Sequence, residues 1–376
     1  MIARRMFVPT FAVAVLVALV APPASTKRLN ALANLVSSHE GSSSPSPVSA
    51  NEQDPKPNSV GAETYKKLLP ELAAAHRKKL EAELDQLKQR ADKLSTQAED
   101  ARKKTGFDAD AMMKDFNQVA SATNVADARQ QAAAFRGKYE PGILTLAQAS
   151  GLDMQGERDR LFSFINPGNA RIFPGPIGIG GSSEEKREEP EPPTAPPDVV
   201  TKTFVAPYTS EGHVGDRATA SASTGQMSFV NGLAFAGSAQ KLAFITQDLP
   251  VERGVRRVRV FVTLNPTSYG TTAFNLSGYS SAEAIVNLRL LEGSRILASD
   301  RLSLSRSVAE FIGASDRSGS RSVTLLCEFT RPAPDDETTY TLVAEIEGWA
   351  GAGGLGGAAV NISTTLRQFQ AYLHRS

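Results

Sequence analysis

The residues best suited to chemistry are scattered. Four histidines, His39, His76, His213 and His374, fall in a polar stretch, a charged helical stretch, a loop and the C-terminus. None pairs at the spacing of a metal site, so neither a zinc site nor a non-haem iron site is expected. Gly278-Tyr279-Ser280-Ser281-Ala282 approximates a nucleophile elbow. That motif needs a helix after the serine, and residues 284–291 read as strand instead. Ser238-Ala239-Gln240-Lys241 matches Ser-x-x-Lys without the companion motifs that would give it a role. Gly351-Ala352-Gly353-Gly354-Leu355-Gly356 fits Gly-x-Gly-x-x-Gly, but the strand-like residues 358–362 follow where a phosphate-binding helix should begin, so a hairpin loop is expected.

The one cysteine, Cys327, excludes an intrachain disulfide, and its run Val323-Thr324-Leu325-Leu326-Cys327-Glu328-Phe329 marks it as a small buried hydrophobe. Without a nucleophile and base to name, no enzymatic activity and no organic cofactor is expected. Two features could bind a ligand. Trp349, the only tryptophan, follows the strand that starts at Tyr340, and an aromatic ring at a loop offers a flat platform to a sugar. Asp335, Asp336 and Glu337 cluster at the other end of that strand and could hold Ca²⁺.

The elements that must position these residues follow from composition and periodicity. Arg4 and Arg5 precede an apolar run from Phe7 to Val20, which is the layout of a secretory signal or N-terminal anchor over residues 1–25. The arginine pair also resembles the twin-arginine export pattern. The expectation is an exported protein, periplasmic, cell-surface or secreted, that meets a membrane only if this segment is not cleaved. Residues 26–60 are Ser/Pro-rich, with too few apolar groups to offset the entropy of ordering them.

Residues 61–166 read as an α-helical domain. Leu80, Leu84, Leu87, Ala91, Leu94, Ala98 and Ala101 alternate spacings of four and three, placing all seven on one helical stripe. That stripe suits a helical hairpin or bundle, or a short coiled coil in which Glu83 faces Lys88 of a second copy, so self-association through Leu80–Ala101 is one expected partnership. Asp108 and Asn124 are expected helix N-caps, with the second helix ending at Gly137 and another beginning at Pro141.

Residues 167–200 carry the Pro, Gly and Glu of a linker. Residues 201–376 change to strand alternation: Val258, Val260, Val262 and Leu264 share one face, with Arg257, Arg259, Phe261 and Thr263 on the other. Further runs at 241–246, 284–291, 322–329, 338–347 and 358–369 complete an antiparallel β-sandwich of jelly-roll-like size. The fold class expected is therefore multidomain α + β. A net charge of +1 gives no field for nucleic acid, which leaves a protein partner or a glycan as the expected ligand.

Overall fold

The computed structural model describes residues 60–165, 171–174, 177–192 and 198–375. The expected export segment and the Ser/Pro-rich stretch lie outside the described residues, apart from Val60.

Among the described residues four helices come first: α1 (Val60–Thr105), α2 (Ala109–Ala120), α3 (Val125–Ala149) and α4 (Met154–Ile165). Both expected caps are present. The Asp108 carboxylate accepts from the Ala111 amide at 2.9 Å and the Asn124 side chain from the Asp127 amide at 2.9 Å, each satisfying a donor that the helix start leaves unpaired. The break expected between Gly137 and Pro141 does not occur, because α3 runs through both. A proline ring collides with the carbonyl four residues earlier, and here that residue is Gly137, whose missing side chain leaves the turn free to adjust. Pro70 likewise sits inside α1.

Ten strands follow in one antiparallel sheet: β1 (Arg171–Pro174), β2 (Ile177–Glu184), β3 (Val199–Phe204), β4 (Ser210–Val214), β5 (Ala218–Ser221), β6 (Gln226–Ala234), β7 (Gly237–Val251), β8 (Arg257–Glu292), β9 (Arg295–Thr330) and β10 (Thr338–His374). Runs expected as separate strands are therefore joined; 338–347 and 358–369 are two parts of β10. β10 is the hub, paired with β8 along its length and with β7, β6 and β3 in succession on its other side.

A straight 36-residue strand would reach about 120 Å at roughly 3.3 Å per residue, far more than one layer needs. Register shifts bend these strands, at Leu264/Thr267 and Asn275/Tyr279 in β8 and at Leu355/Gly356 and Thr364/Leu366 in β10. The sheet folds back on itself, and its two halves face each other across one core. Val258, Val260, Val262, Leu264, Leu325 and Phe369 from one half meet Val286, Leu288, Leu290, Leu342, Ala344 and Ile346 from the other, all buried. The result is a β-sandwich whose long strands belong to both layers; its strand order does not establish a jelly roll.

The Gly-rich run expected as a hairpin loop lies inside β10 instead. Helices press on the sheet at Gly351 and at Gly357 just after the run, while Gly353, Gly354 and Gly356 are faced by Tyr279, Ser277 and Asn275 of β8. A Cβ on Gly351 would stand 2.6 Å from Leu84 of α1, and one on Gly357 would stand 2.4 Å from Phe116 of α2 and 2.5 Å from Phe274. Helices and sheet thus share a core, in which Leu80, Leu84, Leu87, Met112, Phe116 and Phe135 pack with Phe274, Ile285, Phe311 and Trp349. The seven-residue stripe of α1 is a packing seam whose main partner is the sheet, with α3 as a second neighbour.

Part of the expected linker is structured for a related reason. β2 pairs with β9, and the segment after it spans the open edge of the sandwich. The Glu185 amide donates to the Ser303 carbonyl at 3.2 Å and the Ser303 amide to the Glu185 carboxylate at 3.0 Å, while Arg187 forks onto Asp300 at 2.9 and 2.7 Å. Arg321 donates to the Glu185 carbonyl at 3.2 Å from the far end of β9. The charges in this run fasten a strap across the edge.

Candidate functional site

Trp349 and Tyr340, the two aromatic candidates, do not converge. They stand nine residues apart on one strand, and an odd separation places them on opposite faces. Tyr340 is buried in the sandwich core, its hydroxyl accepting from Arg331 at 3.0 Å. Trp349 points the other way, under α1. Asp335, Asp336 and Glu337 occupy the exposed turn between β9 and β10. There the Asp336 carbonyl accepts from Arg331 at 2.6 Å and Glu337 lies 4.0 Å from Arg253. Among the described residues no group of three or more His, Cys, Asp or Glu side chains is arranged to hold a metal ion.

The face around Trp349 follows from strand register. Glu345, Glu347 and Trp349 alternate along β10; their β8 neighbours are Asn287, Ile285 and Glu283, and their β7 neighbours are Phe244, Leu242 and Gln240. α1 crosses this face from Tyr65, which packs edge-on to Phe244 at 5.0 Å, to Leu80 and Leu84 beside Trp349.

Two zones result. In the first, polar groups are sealed: Glu345 and Glu347 are each 1% exposed. Glu345 accepts from the Tyr65 hydroxyl, from Arg289 at 2.7 Å and from Asn287 at 2.8 Å, while Glu347 accepts from Asn287 at 3.2 Å and from Gln240. Burial by itself would raise the Glu345 carboxyl, but the Arg289 charge and these hydrogen bonds outweigh it and hold the group below the usual carboxylate range. Burial and the Glu345 charge push the Tyr65 hydroxyl well up, so it stays a donor. With three of its four acceptor sites filled and only 1% of the residue exposed, this carboxylate is a fastening for α1 and is not open to a substrate.

The second zone is open. Lys79, Leu80 and Glu83 of α1 and Glu283, Arg301 and Trp349 of the sheet line a cleft of about 130 Å³. Two ion pairs border it: Arg301 to Glu283 at 3.2 Å, both of which line it, and Glu83 of the lining to Arg306 behind it at 2.8 Å. Trp349 is 5% exposed, so the cleft meets only part of its ring. Burial works to raise the Glu283 carboxyl, yet the charges of Arg301, Arg306 and Lys79 prevail and keep it ionised below its ordinary range. The cleft can hold a small polar ligand between opposed charges beside an aromatic surface. Trp349 was legible from the sequence; its companions Lys79, Glu83, Glu283 and Arg301 were not, because strand pairing and the path of α1 bring them together.

Two further candidates for chemistry are packed away, whereas His213 and Ser238 are exposed. Cys327 is buried and its thiol pushed up to about 12, by burial first and the nearby Asp300 second, which removes the thiolate that reactivity needs. Ser280 is buried inside β8 and donates to the Phe274 carbonyl at 3.0 Å.

No protein-family model matches the chain, and no curated protein matches it. Similar solved structures include the Stig cyclase Fisc of Fischerella sp. TAU, at 15% identity and a TM-score of 0.16, over 46% of this chain and 88% of that one. Others are the enzymatically active domain of tailspike protein 4 of bacteriophage CBA120, at 14% identity and a TM-score of 0.14 over 45% and 19% of the two chains, and a CBM4 structure, at 12% identity and a TM-score of 0.14 over 38% and 87%. Likeness at this level assigns the chain to no family and gives it no function.

Proposed function

We propose that this is a non-catalytic, exported protein of the cell envelope or extracellular space that acts by binding through its helix-braced β-sandwich. The observation that carries this reading is the sealing of three groups that could do chemistry: Glu345 is 1% exposed and held by Tyr65, Arg289 and Asn287, and Cys327 and Ser280 are buried. The layout of Arg4, Arg5 and the apolar run after them supports export. Fractionation of the producing cell tests it. The protein is expected outside the cytoplasm, and recovery from the cytosol alone would remove the localisation.

A second reading specifies carbohydrate as the ligand. It is favoured by the cleft in which Trp349 lies beside Glu83, Glu283, Arg301 and Lys79, since an aromatic surface ringed by hydrogen-bonding groups suits a sugar's apolar face and hydroxyl rim. Affinity electrophoresis of the full chain through immobilised glycans is the test. Retardation that Trp349→Ala abolishes is the expected result, and unretarded migration in every glycan would end this reading.

A further inference from the structure

We propose that the Trp349 cleft takes a single negatively charged sugar residue, a uronic acid or another sugar bearing a carboxylate; this rests on the carbohydrate reading and narrows it. The first argument is size. A cavity of about 130 Å³, close to the roughly 150 Å³ that accepts one benzene ring, has room for about one six-membered ring and too little for an oligosaccharide.

The second argument is charge. Lys79 and Arg301 line the cleft with the two carboxylates Glu83 and Glu283, and Arg306 stands behind the lining as the partner of Glu83. The two arginines are paired with those carboxylates, which leaves Lys79, exposed on the rim, as the cation that a single ligand carboxylate can meet. The third is geometry. Arg301 keeps 41% of its side chain exposed and contacts Glu283 through one nitrogen at 3.2 Å. A guanidinium has five donors in a planar fork, so Arg301 can meet a ligand carboxylate while keeping Glu283. Lys79 is exposed on the α1 rim, placed to close over the bound ring.

The test is calorimetric titration of the full chain with four probes: galacturonate, oligogalacturonate, the neutral galactose oligomer of equal length, and acetate. Galacturonate and its oligomer are expected to bind at least tenfold more tightly than the neutral oligomer, with affinity falling as salt is raised. Arg301→Gln and Lys79→Gln, both at exposed positions, should each weaken the acidic probes about tenfold and leave the neutral one unchanged. Trp349→Ala should weaken acidic and neutral sugars alike. Equal binding of acidic and neutral oligomers would overturn the charge preference while leaving the carbohydrate reading standing. Acetate binding as tightly as galacturonate would reduce the cleft to an anion site, and binding of none of the four would remove both readings.

Discussion

Tyr65, in the second turn of α1, donates its hydroxyl to Glu345 of β10 across 280 residues of sequence. Tyr65→Phe keeps the ring against Phe244 and takes one donor from a fully buried carboxylate. A buried acceptor left short of a partner costs about 1–3 kcal/mol. Urea denaturation should show that loss in the midpoint with an unchanged slope; an unmoved midpoint would mean that solvent replaces the hydroxyl.

The same carboxylate gives stability a pH signature. The ordinary value for Glu345 is 4.5, and its folded value lies below that because the Arg289 charge and three donors overcome the cost of burial. The unfolded state therefore binds the proton more tightly, so the contribution is fully present above about pH 4.5 and is lost as pH falls through the folded value. Glu328 and Asp216 are displaced in the same sense, Glu310 and Asp316 in the opposite one by burial. Comparison with Glu345→Gln isolates the one group. The variant should lose about 3–5 kcal/mol at pH 7, because Arg289 is left buried without its charge partner, and its stability should fall less steeply on acidification. Parallel pH profiles would contradict the account.

Leu87 sits in the middle of the α1 stripe and is completely buried in the core that helices and sheet share. Leu87→Ala should cost about 2–5 kcal/mol. Because the cavity opens in a shared core, far-UV signals of helix and strand should melt together at a lower temperature. A helical transition that moves alone, with the strand signal in place, would show that the helices fold as an independent unit.

Gly357, just after the glycine run, tests the approach of the helices. A Cβ there would meet Phe116 at 2.4 Å and Phe274 at 2.5 Å, distances at which α2 or the strand must shift. Gly357→Ala is expected to destabilise by about 1–3 kcal/mol through overpacking. Gly254, whose positive φ of 80° opens onto empty space, provides the control: Gly254→Asn should cost little, since asparagine tolerates that conformation and meets no neighbour. Equal effects at both sites would show that backbone freedom, and not helix approach, explains Gly357.

What the sequence revealed was periodicity. The alternation of Val258, Val260, Val262 and Leu264 marks the core face of β8, and the spacing of Leu80, Leu84 and Leu87 marks the buried face of α1. Periodicity identifies a buried face without naming what covers it, which is why the α1 stripe pointed to other helices while its main partner is a sheet more than a hundred residues away. The glycine run misled for a physical reason: absent side chains read as a loop when they can equally mean that a neighbour occupies the space. Trp349 was separable from Tyr340 all along, since nine is an odd number and a strand repeats every two residues. Glu283 and Arg301 had no local signal, because only the pairing of β8 with β9 and β10 gives them their place.

The hub position of β10 sets the order of synthesis against the order of assembly. Ribosomes deliver this strand after every other, yet β3, β6 and β7 each use it as a pairing partner, and β8 is paired with it from Arg257 to Leu291. Until β10 emerges, the strands that pair with it have unpaired edges, and the long loops that must close make their pairing slow. A chain wired this way passes through a stage in which those edges are open, and open strand edges are templates for pairing with other chains.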